Sequence, residues 1–164
     1  MSRNGRSRLM ESVFWVVPDM LAGRPGPDYA PWSLEVLYAG GIRAVINLSE
    51  FEPSYAEFDA VNITVDWIPL PNSYPADADA ERACLEKLPG ALSLLQSHLY
   101  ADKAVLVHCA WGRDRTGLLL AYFLANENRC APDEAIAQVR EVCPKALSAT
   151  GWDQMAVRII KNLM

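Results

Sequence analysis

Apolar and polar positions along this chain fall into blocks that switch between two periods. Short apolar runs near 13–17, 43–48, 63–68 and 104–108, rich in Val, Ile and Trp, predict strands. Between them the period becomes helical. Pro31 suits a helix start and Gly40 a helix stop, bounding a first helix. From Asp79 to Leu99, the residues Cys84, Leu88, Leu92, Leu95 and Leu99 recur at helical spacing, and Pro89-Gly90 is expected to kink or interrupt that helix. Thr116 to Asn126 (TGLLLAYFLAN) is nearly all apolar and predicts a helix buried on most of its faces. Pro132 opens another, with Ala135, Ile136, Val139 and Val142 on one face. Trp152, Met155, Ile159, Ile160 and Leu163 line a last one.

Strands separated by helices need crossover connections. The expected fold is therefore α/β: a mostly parallel central sheet flanked by helices on both faces. In such sheets a ligand binds beyond the carboxyl ends of the strands. The organisation expected is one domain over residues 12–164. Residues 1–11, with Arg3, Arg6 and Arg8, are expected to form a disordered basic tail.

Composition narrows the partners. Apolar residues make up 51% and charged residues 21%, as in ordinary globular domains. The net charge of −5 argues against a nucleic-acid-binding surface, so any anion must be captured locally. Four cysteines without a C-x-x-C pair, beside only two histidines, indicate neither a disulfide scaffold nor a metal site. No cofactor is expected. The run Ser12 to Val17 is too short for a signal-peptide core, and no membrane span follows it; a reducing cytoplasm is the expected setting.

The chemistry concentrates where the strand of 104–108 meets the helix from 116. The intervening turn, Cys109-Ala110-Trp111-Gly112-Arg113-Asp114-Arg115, joins a buried strand to a helix N-terminus. Such a turn aims backbone N–H groups inward above the free amides of the helix, and both favour an anion. Gly112 supplies the positive φ that a tight loop needs. Ala110, Trp111, Gly112 and Arg113 are the expected phosphate-cradling residues. A cysteine at a helix N-terminus beside arginines is held towards its thiolate, the nucleophilic form. That makes Cys109 the expected nucleophile. Arg115 offers a planar fork for two phosphate oxygens. Thr116 can donate its hydroxyl to the sulfur, and His108 is read as hydrogen-bonding the loop backbone. Trp111 is read as packing the loop in preference to stacking on substrate. Arg24 is read as a surface residue of a proline-bounded turn.

HCAWGRDRTG (His108 to Gly117) resembles the signature His-Cys-x5-Arg-Ser/Thr-Gly of the cysteine-dependent protein tyrosine phosphatase superfamily and matches each of its fixed positions. VVPDMLAGRPGPD (Val16 to Asp28), LEVLYAGGIRAVINLSE (Leu34 to Glu50), DWIPLP (Asp66 to Pro71) and PDEAIAQVREVCPKAL (Pro132 to Leu147) resemble segments of its small dual-specificity branch, and the likeness runs over about residues 14 to 160. Cys143 stands where many of those relatives carry arginine. The resemblance implies a phosphotyrosine-phosphatase-like fold. It also implies hydrolysis of phosphotyrosine, phosphoserine or phosphothreonine in proteins through a phosphocysteine intermediate. Relatives carry an aspartate proton donor just after the "IPxP" exit; here Asn72 occupies that place and cannot donate in that way. Asp114, inside the turn, is the favoured replacement, and Asp77 and Asp79 are the alternatives. Three other readings remain open: a phosphoinositide or inositol-phosphate phosphatase, a catalytically weak phosphate-binding module, and sulfur transfer of the rhodanese type.

Overall fold

The computed structural model describes Met10 and residues 12–164. The rest of the expected tail, residues 1–9 and 11, lies outside the described residues, whereas Met10 packs against one of the two core clusters. Five strands, β1 (Phe14–Val17), β2 (Leu21–Arg24), β3 (Ile42–Asn47), β4 (Thr64–Trp67) and β5 (Ala104–His108), form one sheet in the order β1-β2-β5-β3-β4. The β1–β2 pair is antiparallel; β2–β5, β5–β3 and β3–β4 are parallel. Among the described residues six helices surround it: α1 (Leu34–Ala39), α2 (Tyr55–Ala60), α3 (Ala78–Tyr100), α4 (Asp114–Asn128), α5 (Pro132–Val142) and α6 (Trp152–Leu163).

The pleat of β5 explains the two layers. Val105 and Val107 point into the larger core with residues of α3 to α6, while Leu106 points into the smaller core with Leu34, Leu37 and Phe58 of α1 and α2. Helices thus cover both faces, as the alternation of periods implies. No helix among the described residues is long and apolar enough to cross a membrane.

Three sequence expectations change, and one short helix appears that the sequence analysis did not predict. The segment LAGR, read as part of a turn, is the fully buried strand β2, held between β1 and β5. Pro31 lies outside α1; Ser33 caps that helix instead, its hydroxyl accepting from Val36 N–H at 3.3 Å. The six-residue α2 carries a single buried side chain, Phe58, too little to give a period. Pro89-Gly90 does not interrupt α3. Cys84 and Leu88 before it and Leu92 and Leu95 after it are buried, and that packing outweighs a proline cost of about 3 kcal/mol.

The register sets up the site. Arg24 pairs with His108, His108 with Asn47, and Asn47 with Trp67, so the carboxyl ends of β2, β5, β3 and β4 lie level. The loops after these four strands therefore open on one side of the sheet.

Candidate active site

The loop after β5 is shaped by two glycines. Gly112 has φ +72°, and a Cβ there would lie 2.6 Å from the Arg24 carbonyl oxygen. Gly26 N–H donates to the Ala110 carbonyl at 2.9 Å, and a Cβ on Gly26 would lie 2.5 Å from the Cys109 carbonyl oxygen. The loop after β2 thus braces the loop after β5 through backbone contact that no other residue permits. Gly112→Ala should lose at least about 2 kcal/mol of stability in urea denaturation, together with phosphate affinity; an unchanged midpoint would show that the bracing has no weight.

Cys109 is buried and lies against the first turn of α4, where the Thr116 hydroxyl donates to its sulfur at 3.1 Å. Gly117 N–H bonds the Arg113 carbonyl, and the amides ahead of it in the turn have no partner within the helix. Arg115, 3% exposed, donates through Nη1 to Glu50 Oε2 at 2.7 Å. Partial burial works to raise the Glu50 carboxyl. The hydrogen bond and charge of Arg115, with the backbone amide, outweigh it and hold the group below its ordinary value. Glu50 is thus an anion that fixes one edge of the guanidinium and leaves the rest of the fork for a second anion.

His108 serves the loop as expected. Its Nδ1 donates to the Cys109 carbonyl at 3.1 Å, and burial pushes the imidazole down to about 4, so it is neutral near pH 7. Trp32 stands edge-on to it. Behind Trp32 lies Arg24, wholly buried rather than on the surface; one amino group bonds the Ala30 carbonyl at 2.8 Å, while Nε and Nη1 have no partner among the described residues. Burial pulls its guanidinium down to about 10.

A cleft of about 450 Å³ opens over the sulfur, lined by Cys109, Arg113, Asp114, Arg115, Asn72 and Trp152 among others. Asp114 Oδ1 accepts from Ala149 N–H at 3.2 Å. Burial nevertheless raises its carboxyl above the ordinary range, against the pull of that bond and of Arg115 and Arg113. Asn72 lines the cleft where an acid was sought. Asp77 does not: it caps α3, accepting from Ala80 N–H at 2.8 Å and from the Ser73 hydroxyl. Those bonds lower its pKa, which makes it a poor proton donor. Asp79 sits in the first turn of α3, exposed, and pairs with Arg82.

Trp111 packs against Tyr29 and Arg113 and stays partly exposed. It is 46% exposed on the cleft rim, with Tyr29 tilted against its ring and the Arg113 guanidinium 5.4 Å from the ring centre. Ala110 faces a second cleft on the other side of Cys109. Sequence reasoning missed Glu50, Ser73, Tyr74 and Trp152 as site residues. Glu50 carried one signal, its place just beyond the Asn-Leu that ends β3.

Comparison with known proteins agrees with this geometry. Residues 29–156 match the family described as dual specificity phosphatase, catalytic domain. Among solved structures, Tk-PTP in its active form is 22% identical with a TM-score of 0.72, covering 93% of this chain and 96% of its own. Human DUSP28 is 18% identical at 0.72, covering 93% and 95%. PTPMT1 in complex with PI(5)P is 14% identical at 0.74, covering 93% and 97%. Likeness at these identities is likeness of fold.

Proposed function

The chain belongs to the dual specificity phosphatase catalytic-domain family, and on that premise we propose that this cysteine-dependent phosphatase uses Cys109, Arg115, Thr116 and Asp114 on phosphorylated proteins. The observation that supports this most is the meeting of a buried sulfur, a buried guanidinium and a carboxyl of raised pKa on one cleft. In the first step the Cys109 thiolate attacks phosphorus in line. The sulfur–phosphorus bond forms as the bond to the leaving oxygen breaks, and Asp114 gives that oxygen its proton. Arg115 and the loop amides hold the equatorial oxygens, where stabilising charge is most of the work. In the second step the Asp114 carboxylate takes a proton from water as the water oxygen attacks the phosphocysteine. The Thr116 hydroxyl then receives the departing sulfur anion, and phosphate is released. We propose the cytoplasm as the setting, because a thiolate nucleophile requires a reducing compartment.

The acid assignment has a direct test. Asn at position 114 keeps an oxygen that can accept from Ala149 N–H, so the substitution removes the proton and leaves the acceptor. A general acid works only while protonated, so wild-type kcat falls as pH rises through the Asp114 pKa, and the raised value carries activity upward in pH. Asp114→Asn should lower kcat on phosphotyrosine peptide by about 100-fold and flatten the alkaline limb of the profile. The loss should shrink on aryl phosphates whose leaving oxygen needs little protonation. A uniform loss across leaving groups, with the alkaline limb intact, would reduce Asp114 to a loop-holding carboxylate. Release of phosphate from p-nitrophenyl phosphate is the test of the phosphatase reading itself.

A further inference from the structure

We propose that the second cleft, beside Cys109, is a substrate subsite that takes a lysine or arginine side chain flanking the phosphorylated residue; this rests on the phosphatase reading above. The cleft, about 270 Å³, shares Cys109 with the catalytic cleft, so a chain whose phosphate sits over the sulfur passes its mouth. Its rim carries Asp28, Glu52 and Glu57, all exposed and without an ion-pair partner among the described residues, and no lysine or arginine lines it. Trp32 and Phe51 supply aromatic surface on which a cation can settle.

The lining side chain of His108 selects the same chemistry from within. This residue is 3% exposed. Its Nδ1 hydrogen is spent on the Cys109 carbonyl, and a neutral ring then carries its lone pair on Nε2, which has no partner among the described residues. An acceptor left open on a cleft wall can take a donor from an entering side chain, and a guanidinium or ammonium offers donors and charge together. The wall is also fixed in advance. The Asn47 side-chain oxygen accepts from Ser49 N–H at 2.8 Å and from its hydroxyl at 2.6 Å, Asn47 Nδ2 donates to the Phe51 carbonyl at 2.9 Å, and Trp67 Nε1 donates to the Ser49 carbonyl at 2.9 Å. A polyphosphorylated head group would meet these carboxylates as repulsion.

The experiment compares phosphotyrosine peptides identical except for arginine, alanine or glutamate on either side of the phosphoresidue, with p-nitrophenyl phosphate as the peptide-free control. For the wild type, kcat/KM should fall from the arginine to the glutamate peptide by about tenfold at low salt, each exposed pair contributing up to about fivefold. In the double variant Glu52→Gln, Glu57→Gln the preference should collapse while p-nitrophenyl phosphate turnover stays within about twofold, as expected for exposed groups away from the sulfur. Equal rates on the three peptides, a preference that survives in the double variant, or faster hydrolysis of a soluble phosphoinositide than of any peptide would overturn the subsite. Failure on p-nitrophenyl phosphate would instead strike at the phosphatase reading. Peptide binding to Cys109→Ser, followed by fluorescence anisotropy, then still reads the subsite, since it needs no turnover: arginine must bind tighter than glutamate.

Discussion

Cys109→Ser is expected to abolish turnover, by about 10⁴-fold or more, while leaving phosphate binding within a few-fold of wild type. The two halves of this expectation come from separate parts of the site. A hydroxyl is a far weaker nucleophile than a thiol near neutral pH, and among the described residues no base is hydrogen-bonded at the position 109 side chain: its partner is the Thr116 hydroxyl, and His108 Nδ1 is committed to the Cys109 carbonyl. Anion binding belongs instead to the loop amides, the first turn of α4 and Arg115, none of which the substitution touches. Serine is smaller than cysteine and keeps a group that the Thr116 hydroxyl can approach. Rapid quench with labelled aryl phosphate should show a phosphoenzyme in the wild type and none in the variant, with calorimetry following phosphate binding in both. A variant that retains a tenth of the rate would show that the covalent route through sulfur is wrong.

The catalytic loop was legible because its parts are contiguous. Strand, cysteine, glycine, arginine and hydroxyl stand within thirteen residues, 104–116, and their spacing indicates which of them can reach a common anion. Asn72 was legible as a departure, and it does line the cleft. What was hidden depends on partners remote in sequence. Glu50 meets Arg115 across 65 positions, and no local pattern announces that bond. The strand β2 hid because Ala22 and Gly23 have poor strand propensity; its identity comes from β1 and β5 on its two sides, which override propensity. Arg24 follows from the same error, for a residue placed in a turn was expected at the surface. Asp77 was ambiguous for a different reason. A carboxylate before a helix serves equally as a cap or as an acid on a loop, and only the bonds to Ala80 and Ser73 decide between them. Trp111 was read as packing the loop; it does meet Tyr29 and Arg113, and it also lines the cleft while half exposed, a position that no local pattern announces.

Arg115→Lys should cost about 10³-fold in kcat/KM, close to the loss expected from removing a dedicated oxyanion donor, with most of it in kcat. Lysine preserves the charge, so the loss measures geometry. The guanidinium is a rigid fork, one edge of which is held by Glu50 at 2.7 Å, and its remaining N–H groups are left to follow the equatorial oxygens as the phosphoryl group flattens. An ammonium is a point donor that reaches one partner at a time. In this buried position it would pair with the Glu50 carboxylate, itself held ionised, or with the phosphate, and would orient neither. The loss should therefore be larger for a trigonal-bipyramidal vanadate than for tetrahedral phosphate, because the fork matches the transition state better than the ground state. Glu50→Gln makes the complementary point. It keeps an oxygen for Nη1 and removes the charge, so it should reduce kcat far less than Arg115→Lys and leave the vanadate-to-phosphate affinity ratio near wild type. If the lysine variant binds the two anions with equally reduced affinity, Arg115 serves capture alone and the displacement is stabilised elsewhere in the loop. If the ratio falls with the rate, the fork held by Glu50 is where binding becomes catalysis.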